Sequence, residues 1–204
     1  FEELSLFHFQ DFLEISKGTA IADVKKLRTY LSSQKVELVY SRKGGFYLSG
    51  DELEIRRIAQ NFVALLVQDS IGKFGLFYWL NQYDLTLYAQ IRDVIQEQTN
   101  TLGLTIVPSR IDEVSLLIGL SYKRIHEERL TKLTDLNILQ SLTVYQASEK
   151  FFQIFFNGSS SHEIGYMTIV LMTIVQGEIR DLQLDFLLSC SAEIIHQMEN
   201  YSAI

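Results

Sequence analysis

Proline occurs once in the 204 residues, cysteine once and glycine only eleven times. So few chain breakers exclude a loop-rich or low-complexity chain and leave mostly regular elements joined by short connections. One cysteine, Cys190, excludes an internal disulfide framework and fits a reducing compartment, the cytoplasm. Set beside Leu187, Leu188, Ile194 and Ile195, it reads as a packing residue. No apolar run reaches the ~20 residues of a membrane helix, so no membrane partner is expected, and the most apolar stretch, 164–175, reads as a buried helix. Residues 1–9 mix acids with aromatics, lack the basic segment of a signal peptide, and begin at Phe1, which fits a piece of a longer protein.

What is abundant is apolar: 47% of residues are hydrophobic and 12% aromatic, enough for packed cores and too much for a disordered chain. Acids outnumber bases by 25 to 18, a formal charge of -7, which excludes a uniformly basic surface. That average hides a segregation. Residues 17–43 carry seven bases (Lys17, Lys25, Lys26, Arg28, Lys35, Arg42, Lys43) against Asp23 and Glu37, whereas 51–204 hold 11 bases and 19 acids.

Hydrophobic spacing changes character near residue 50. Leu6, Phe9 and Leu13, then Ala20, Val24, Leu27 and Leu31, recur at helical intervals in two segments, with Ser16 placed to cap the second. Val36–Tyr40 and Phe46–Leu48 are strand-like, and Ser41-Arg42-Lys43-Gly44-Gly45 supplies hairpin-turn chemistry. Helix, turn, helix and hairpin is the order of a winged helix. Beyond Gly50-Asp51-Glu52 everything reads as helix: 53–69, 85–102 ending at Gly103, 110–130 opened by Pro108-Ser109, 138–156, 164–175 and 182–198. The expected fold is therefore mainly α: a winged helix-turn-helix with a small hairpin wing over 1–50, then an all-α bundle over 51–180, with 181–204 starting another helical element.

Patterns that would carry catalysis are weak. His8, His126, His162 and His196 never pair at metal-ligand spacing, so no metal is expected and the histidines read as exposed or capping; His162-Glu163 reads as first-turn polar residues of a helix. Gly72-Lys73-Phe74-Gly75 lacks the Ser/Thr and the preceding strand of a phosphate loop and reads as a helix–helix connection. No serine or cysteine sits in a nucleophile setting. Neither an enzyme nor a cofactor is expected. The basic stretch is different. On a helix beginning after Ser16, Lys17, Gly18, Ile21, Ala22 and Lys25 share one face, opposite Ala20, Val24, Leu27 and Leu31. Small residues flanked by lysines suit the major groove of double-stranded DNA, and Arg42 and Lys43 at the hairpin tip suit its phosphates. The competing reading is a solvated basic helix in a structural domain.

Ile15-Ser16-Lys17-Gly18-Thr19-Ala20-Ile21-Ala22-Asp23-Val24-Lys25-Lys26-Leu27 resembles the recognition helix of the Mga-like helix-turn-helix. Leu38 through Glu52, with Gly45-Phe46-Tyr47-Leu48-Ser49-Gly50-Asp51-Glu52 at its end, is similar to the wing and the junction that follow it in the BglG-type regulators of sugar phosphotransferase operons. Tyr78-Trp79-Leu80, the segment 110–125 with Arg124-Ile125 at its close, and Glu163-Ile164-Gly165-Tyr166-Met167-Thr168 resemble the phosphotransferase-system regulation domain (PRD) of the same proteins. Together these cover roughly 5–176, and 181–204 resembles the start of a second such domain.

The resemblance implies a transcriptional regulator that binds an operator as a homodimer through Ser16, Lys17, Gly18, Thr19, Ile21, Ala22, Lys25, Lys26, Arg42 and Lys43. It also implies phosphotransferase proteins as partners of regions outside this fragment. Two departures stand out. The family's phosphorylated histidines fall here on Leu117 and Val170, which accept no phosphoryl group, so this PRD is expected to serve dimerisation. Where the family commonly has two basic residues after the capping serine, this chain has Lys17-Gly18. The alternatives are a helical interaction module whose winged helix no longer binds DNA, and a virulence-type regulator of the same architecture.

Overall fold

A computed structural model describes residues 4–81, 86–133, 136–156 and 160–176; the helix expected over 182–198 lies outside them. The chain is mainly α, with a two-stranded antiparallel hairpin and a second, two-residue strand pair. It divides into two compact units. One draws on residues up to Tyr88 together with Ser115–Lys132, the other on Ala89–Val114 and the chain from Leu133 onward.

The first unit opens with α1 (Leu6–Leu13) and α2 (Lys17–Ser33). His8 Nδ1 accepts the Ser5 backbone N–H at 3.0 Å. Ser16 starts α2 as expected, its Oγ accepting the Thr19 backbone N–H at 3.1 Å. Lys35, at φ 58, ends the helix by turning its N–H back to the Ser32 carbonyl. Strands β1 (Val36–Ser41) and β2 (Gly45–Gly50) follow in a register running from Val36 opposite Gly50 to Ser41 opposite Gly45. Their turn is closed by Gly44 N–H on Ser41 Oγ at 2.9 Å, and Gly45 takes φ 64, a left-handed conformation that glycine adopts without a Cβ clash.

Asp51 then caps α3 (Glu52–Leu66), its Oδ1 accepting from Leu53 N (2.9 Å) and Glu54 N (3.3 Å). Leu31, Val36, Ile55 and Ile58 form the buried centre of this unit, with Leu27, Tyr30, Leu38 and Leu48 packed against it. Each such side chain contributes on the order of 2 kcal/mol of burial. Helix, strand and α3 are thus held by one apolar cluster, which fixes where the face of α2 opposite to it points.

The stretch 72–75 is not a connection. Asp69 Oδ2 accepts the Gly72 N–H at 2.8 Å and launches α4 (Ser70–Asn81), so both glycines lie inside a helix. A Cβ at Gly72 would stand 2.7 Å from the Leu66 carbonyl, and the close approach of α3 to α4 requires glycine there.

Helix α5 (Leu87–Thr101), in the second unit from Ala89 on, ends at Gly103 with φ 67, the expected glycine stop. Strand β3 (Thr105–Ile106) pairs with β4 (Val175–Gln176), a bridge absent from the expected all-helical reading. Pro108–Arg110 forms one 3-10 turn before α6 (Ile111–His126), whose later residues belong to the first unit. The helix stops four residues earlier than expected because Glu128 turns left-handed (φ 58) and the Glu127, Glu128 and Arg129 N–H groups close on the Lys123, Ile125 and Arg124 carbonyls.

The helix expected over 138–156 is two helices, α7 (Leu136–Gln140) and α8 (Thr143–Phe155). Ser141 Oγ donates to the Ile138 carbonyl at 2.7 Å and Leu142 is extended, which interrupts the helical ladder. α8 buries Val144, Tyr145, Ala147, Ser148, Phe151 and Phe152, one helical face. α9 (Ser161–Met172) packs close to α7 at Gly165, where a Cβ would lie 2.9 Å from both Leu133 Cδ1 and Leu136 Cδ2. It also ends earlier than expected: Thr173 and Ile174 turn into β4, and Arg110 Nη1 donates to the Thr173 carbonyl at 2.7 Å.

Candidate nucleic-acid interface

Lys17, Gly18, Thr19, Ile21, Ala22, Lys25 and Lys26 are all exposed on α2, and Ala20 and Leu31 are buried beneath them. Ile21, a large apolar side chain left 51% exposed, marks the outer face. Ser16 Oγ lies 2.9 Å from Thr19 Oγ1 and is also engaged by the Thr19 N–H, so Ser16 and Thr19 shape the helix start. Gly18 has only that Ser16 hydroxyl within 4 Å of where a Cβ would stand. The N-terminal turn of α2 therefore presents its backbone to any approaching surface.

The seven bases of 17–43 divide by role. Arg28 is structural: its Nε donates to the Leu38 carbonyl at 3.2 Å and its guanidinium lies 5.9 Å from the Phe46 ring centre, binding α2 to the hairpin. Lys35 forms the end of α2. Lys26 pairs with Asp23 at 3.2 Å on the solvent side, a contact worth under ~1 kcal/mol and screened by salt. Lys17, Lys25, Arg42 and Lys43 make no ion pair among the described residues, and all four are exposed. Arg42 and Lys43 sit in the turn between β1 and β2, at the hairpin tip.

The positions on which the resemblance places the family's histidines are interior. Leu117 on α6 is 2% exposed and Val170 on α9 is 1% exposed. Glu163 is also fully buried, in the first turn of α9 after its cap Ser160, whose Oγ accepts the Glu163 N–H at 3.4 Å. His162 beside it accepts the Leu133 N–H through Nδ1 at 3.0 Å, a structural use of the ring. Among the described residues no cluster of three or more histidine, cysteine or acidic side chains could hold a metal ion.

Arg124 occupies a place that spacing along the chain did not reveal. Its Nε and Nη2 donate to Glu52 Oε1 (2.9 Å) and Oε2 (2.5 Å), and Arg56 Nε donates to the same Oε1 at 2.9 Å. Arg56 is 3% exposed, and its Nη2 reaches the Arg129 carbonyl at 2.9 Å. Hydrogen bonding to Glu52 holds the Arg124 guanidinium above its ordinary basicity, against the opposing effect of burial. The junction after the hairpin and the Arg-Ile end of α6, 72 residues apart, thus meet through one carboxylate. The Glu52–Arg56 pair stands at i,i+4 spacing, a signal the sequence reading left unused; the partner on α6 carries no local signal.

Breaking this network should cost far more than breaking a surface pair. Glu52→Gln should lower stability by about 3 kcal/mol in urea unfolding, because it removes the charge of the carboxylate shared by the buried Arg56 and by Arg124. Glu54→Gln, which loses only the partly exposed pair with Arg57, should cost under ~1 kcal/mol. Equal losses would deny Glu52 its role.

Lys123, on the same helix, supplies a pH test. Burial lowers its ammonium from 10.5 to about 8, with Glu127 acting in the opposite direction. Below pH 8 the folded state bears the full cost of this charge. Between 8 and 10.5 the unfolded chain holds a proton the folded chain has lost, so stability rises with pH. Lys123→Met should raise the urea midpoint below pH 8, and its advantage over the parent should shrink across that window; a constant difference would contradict the assignment.

Neither protein-family models nor curated proteins match the chain, so the resemblance to the BglG-type regulators stands on its own residues.

Proposed function

We propose that this chain is a DNA-binding transcriptional regulator of a sugar phosphotransferase operon. A winged helix-turn-helix over 1–50 binds the operator, and a PRD over 51–180 serves dimerisation and regulation. The observation that carries the reading is the set of four exposed cations, Lys17, Lys25, Arg42 and Lys43, left without ion pairs among the described residues of an acidic protein. Cations paired within the fold have little to offer a phosphate; these four are available to one.

Lys17 and Lys25, with Gly18, Ile21 and Ala22 between them, would face the major groove, where small side chains allow close approach to base edges. Arg42 and Lys43 would contact phosphates and set register without reading sequence. Lys26, already held by Asp23, contributes less. Two copies would place two such helices ~34 Å apart on successive turns of the duplex. Regulation does not run through Leu117 or Val170: neither side chain accepts a phosphoryl group and both are buried. Phosphotransferase proteins would act through regions outside this fragment, and the action is cytoplasmic.

The test uses duplex DNA from the region upstream of the protein's own coding sequence. Lys17→Ala/Lys25→Ala should weaken binding by about tenfold or more, since each lost cation contact costs on the order of 1 kcal/mol, with circular dichroism and unfolding midpoint unchanged. Lys26→Ala should have the smaller effect. Unchanged affinity in the folded double variant would overturn the reading.

A further inference from the structure

A cavity of about 340 Å³ lies within the first unit, between β2, the head of α3 and the chain that leaves α6. That volume is at the lower end of small-molecule sites, ~300 to 1,000 Å³. The charged groups around it divide into those already engaged and those that are not. Asp51 Oδ1 accepts two N–H groups of α3, and the Glu52 carboxylate is shared by Arg56 and Arg124. Arg129, Lys132 and Glu128 are exposed on the cavity wall, and none of these side chains has an ion pair or hydrogen bond among the described residues. Two open cations thus stand beside one open carboxylate.

The strand wall adds main-chain groups. The Phe46 N–H donates to the Leu4 carbonyl at 2.7 Å, away from β1, and the Leu38 carbonyl accepts from Arg28 Nε, away from β2. Phe46 stands opposite Tyr40 and Leu38 opposite Leu48, so these pairs belong to the set whose main-chain groups point outward from the ladder. Leu48 therefore turns both its N–H and its C=O to the outer edge of β2, and Leu48 lines the cavity. Neither group bonds elsewhere among the described residues. Beside it Tyr47, 42% exposed, offers a flat aromatic surface.

We propose that this cavity binds a small phosphorylated polyol, a sugar phosphate in chemical class. Arg129 and Lys132 take the phosphate through charge-assisted hydrogen bonds. The Leu48 N–H and C=O and the Glu128 carboxylate meet hydroxyls, which donate and accept at once, and the Tyr47 ring covers an apolar face of the ligand. Inorganic phosphate uses the cations alone and sets Glu128 beside it as a like charge. A neutral sugar leaves both cations unused. The ligand joins the second strand of the hairpin to the segment after α6. This site goes beyond the regulator reading and stands without DNA contact.

The experiment is isothermal titration calorimetry of the full chain at about 50 mM salt, where exposed charges are weakly screened. The probes are the 6-phosphates of glucose, fructose and mannose, the three free sugars, and inorganic phosphate. At least one ester should bind with a Kd of about 1 mM or tighter, and its free sugar and inorganic phosphate about tenfold or more weakly than it. Arg129→Ser/Lys132→Ser should weaken that ester by about tenfold or more, with circular dichroism unchanged. Glu128→Asn, which tolerates the left-handed backbone, should narrow the gap between ester and inorganic phosphate. No ester bound by the parent, or unchanged affinity in the folded double variant, would overturn the site. Inorganic phosphate bound as tightly as the ester would overturn the assignment to a polyol.

Discussion

One carboxylate organises the first unit. Glu52 is the first residue of α3, directly after the strand that leaves the hairpin, and it neutralises the guanidinium of Arg56 one turn on and that of Arg124 from α6. Arg56 is buried, and its charge is met by this carboxylate and by the Arg129 carbonyl. That carbonyl is in place because α6 stops at His126 and the chain turns back through a left-handed Glu128. The apolar cluster of Leu31, Val36, Ile55 and Ile58 then binds α2 and the hairpin to the same α3.

The charge distribution follows from this arrangement. Cations with a structural task are tied inward, Arg28 to the hairpin and Arg56 and Arg124 to Glu52. Those without such a task, Lys17, Lys25, Arg42 and Lys43, are on the outside of α2 and at the hairpin tip. A net charge of -7 describes the whole chain and is a poor guide to either group. In the proposed regulator, the network at Glu52 holds α3 while the free cations meet phosphate, so folding and binding draw on different charges.

Local chemistry made several element ends readable. Ser16 capping α2, the Ser41–Gly45 turn, Asp51 at the head of α3 and Gly103 at the end of α5 each act through neighbours a few residues away, and the sequence states them directly. What was missed depends on distant partners or on a hydroxyl's choice. The strand pair at 105–106 and 175–176 joins segments 70 residues apart, too short to show a period of two. The break at Ser141 turns on one side-chain hydrogen bond. Gly72 looked like a breaker because its reason for being glycine is the Leu66 backbone against it. At the site, exposure and pairing decided what composition could not: Lys26 has an ion-pair partner, Lys25 has none among the described residues, and the Arg124 that reads as a motif residue is committed to Glu52.

The claim that these free cations meet nucleic acid is tested most directly by titrating the parent chain onto duplex DNA at salt concentrations from about 50 to 300 mM. Each neutralised phosphate releases a counterion, so four cations predict a fall in log affinity against log salt with a slope of about -3 to -4 per protomer. A slope near zero would contradict the account.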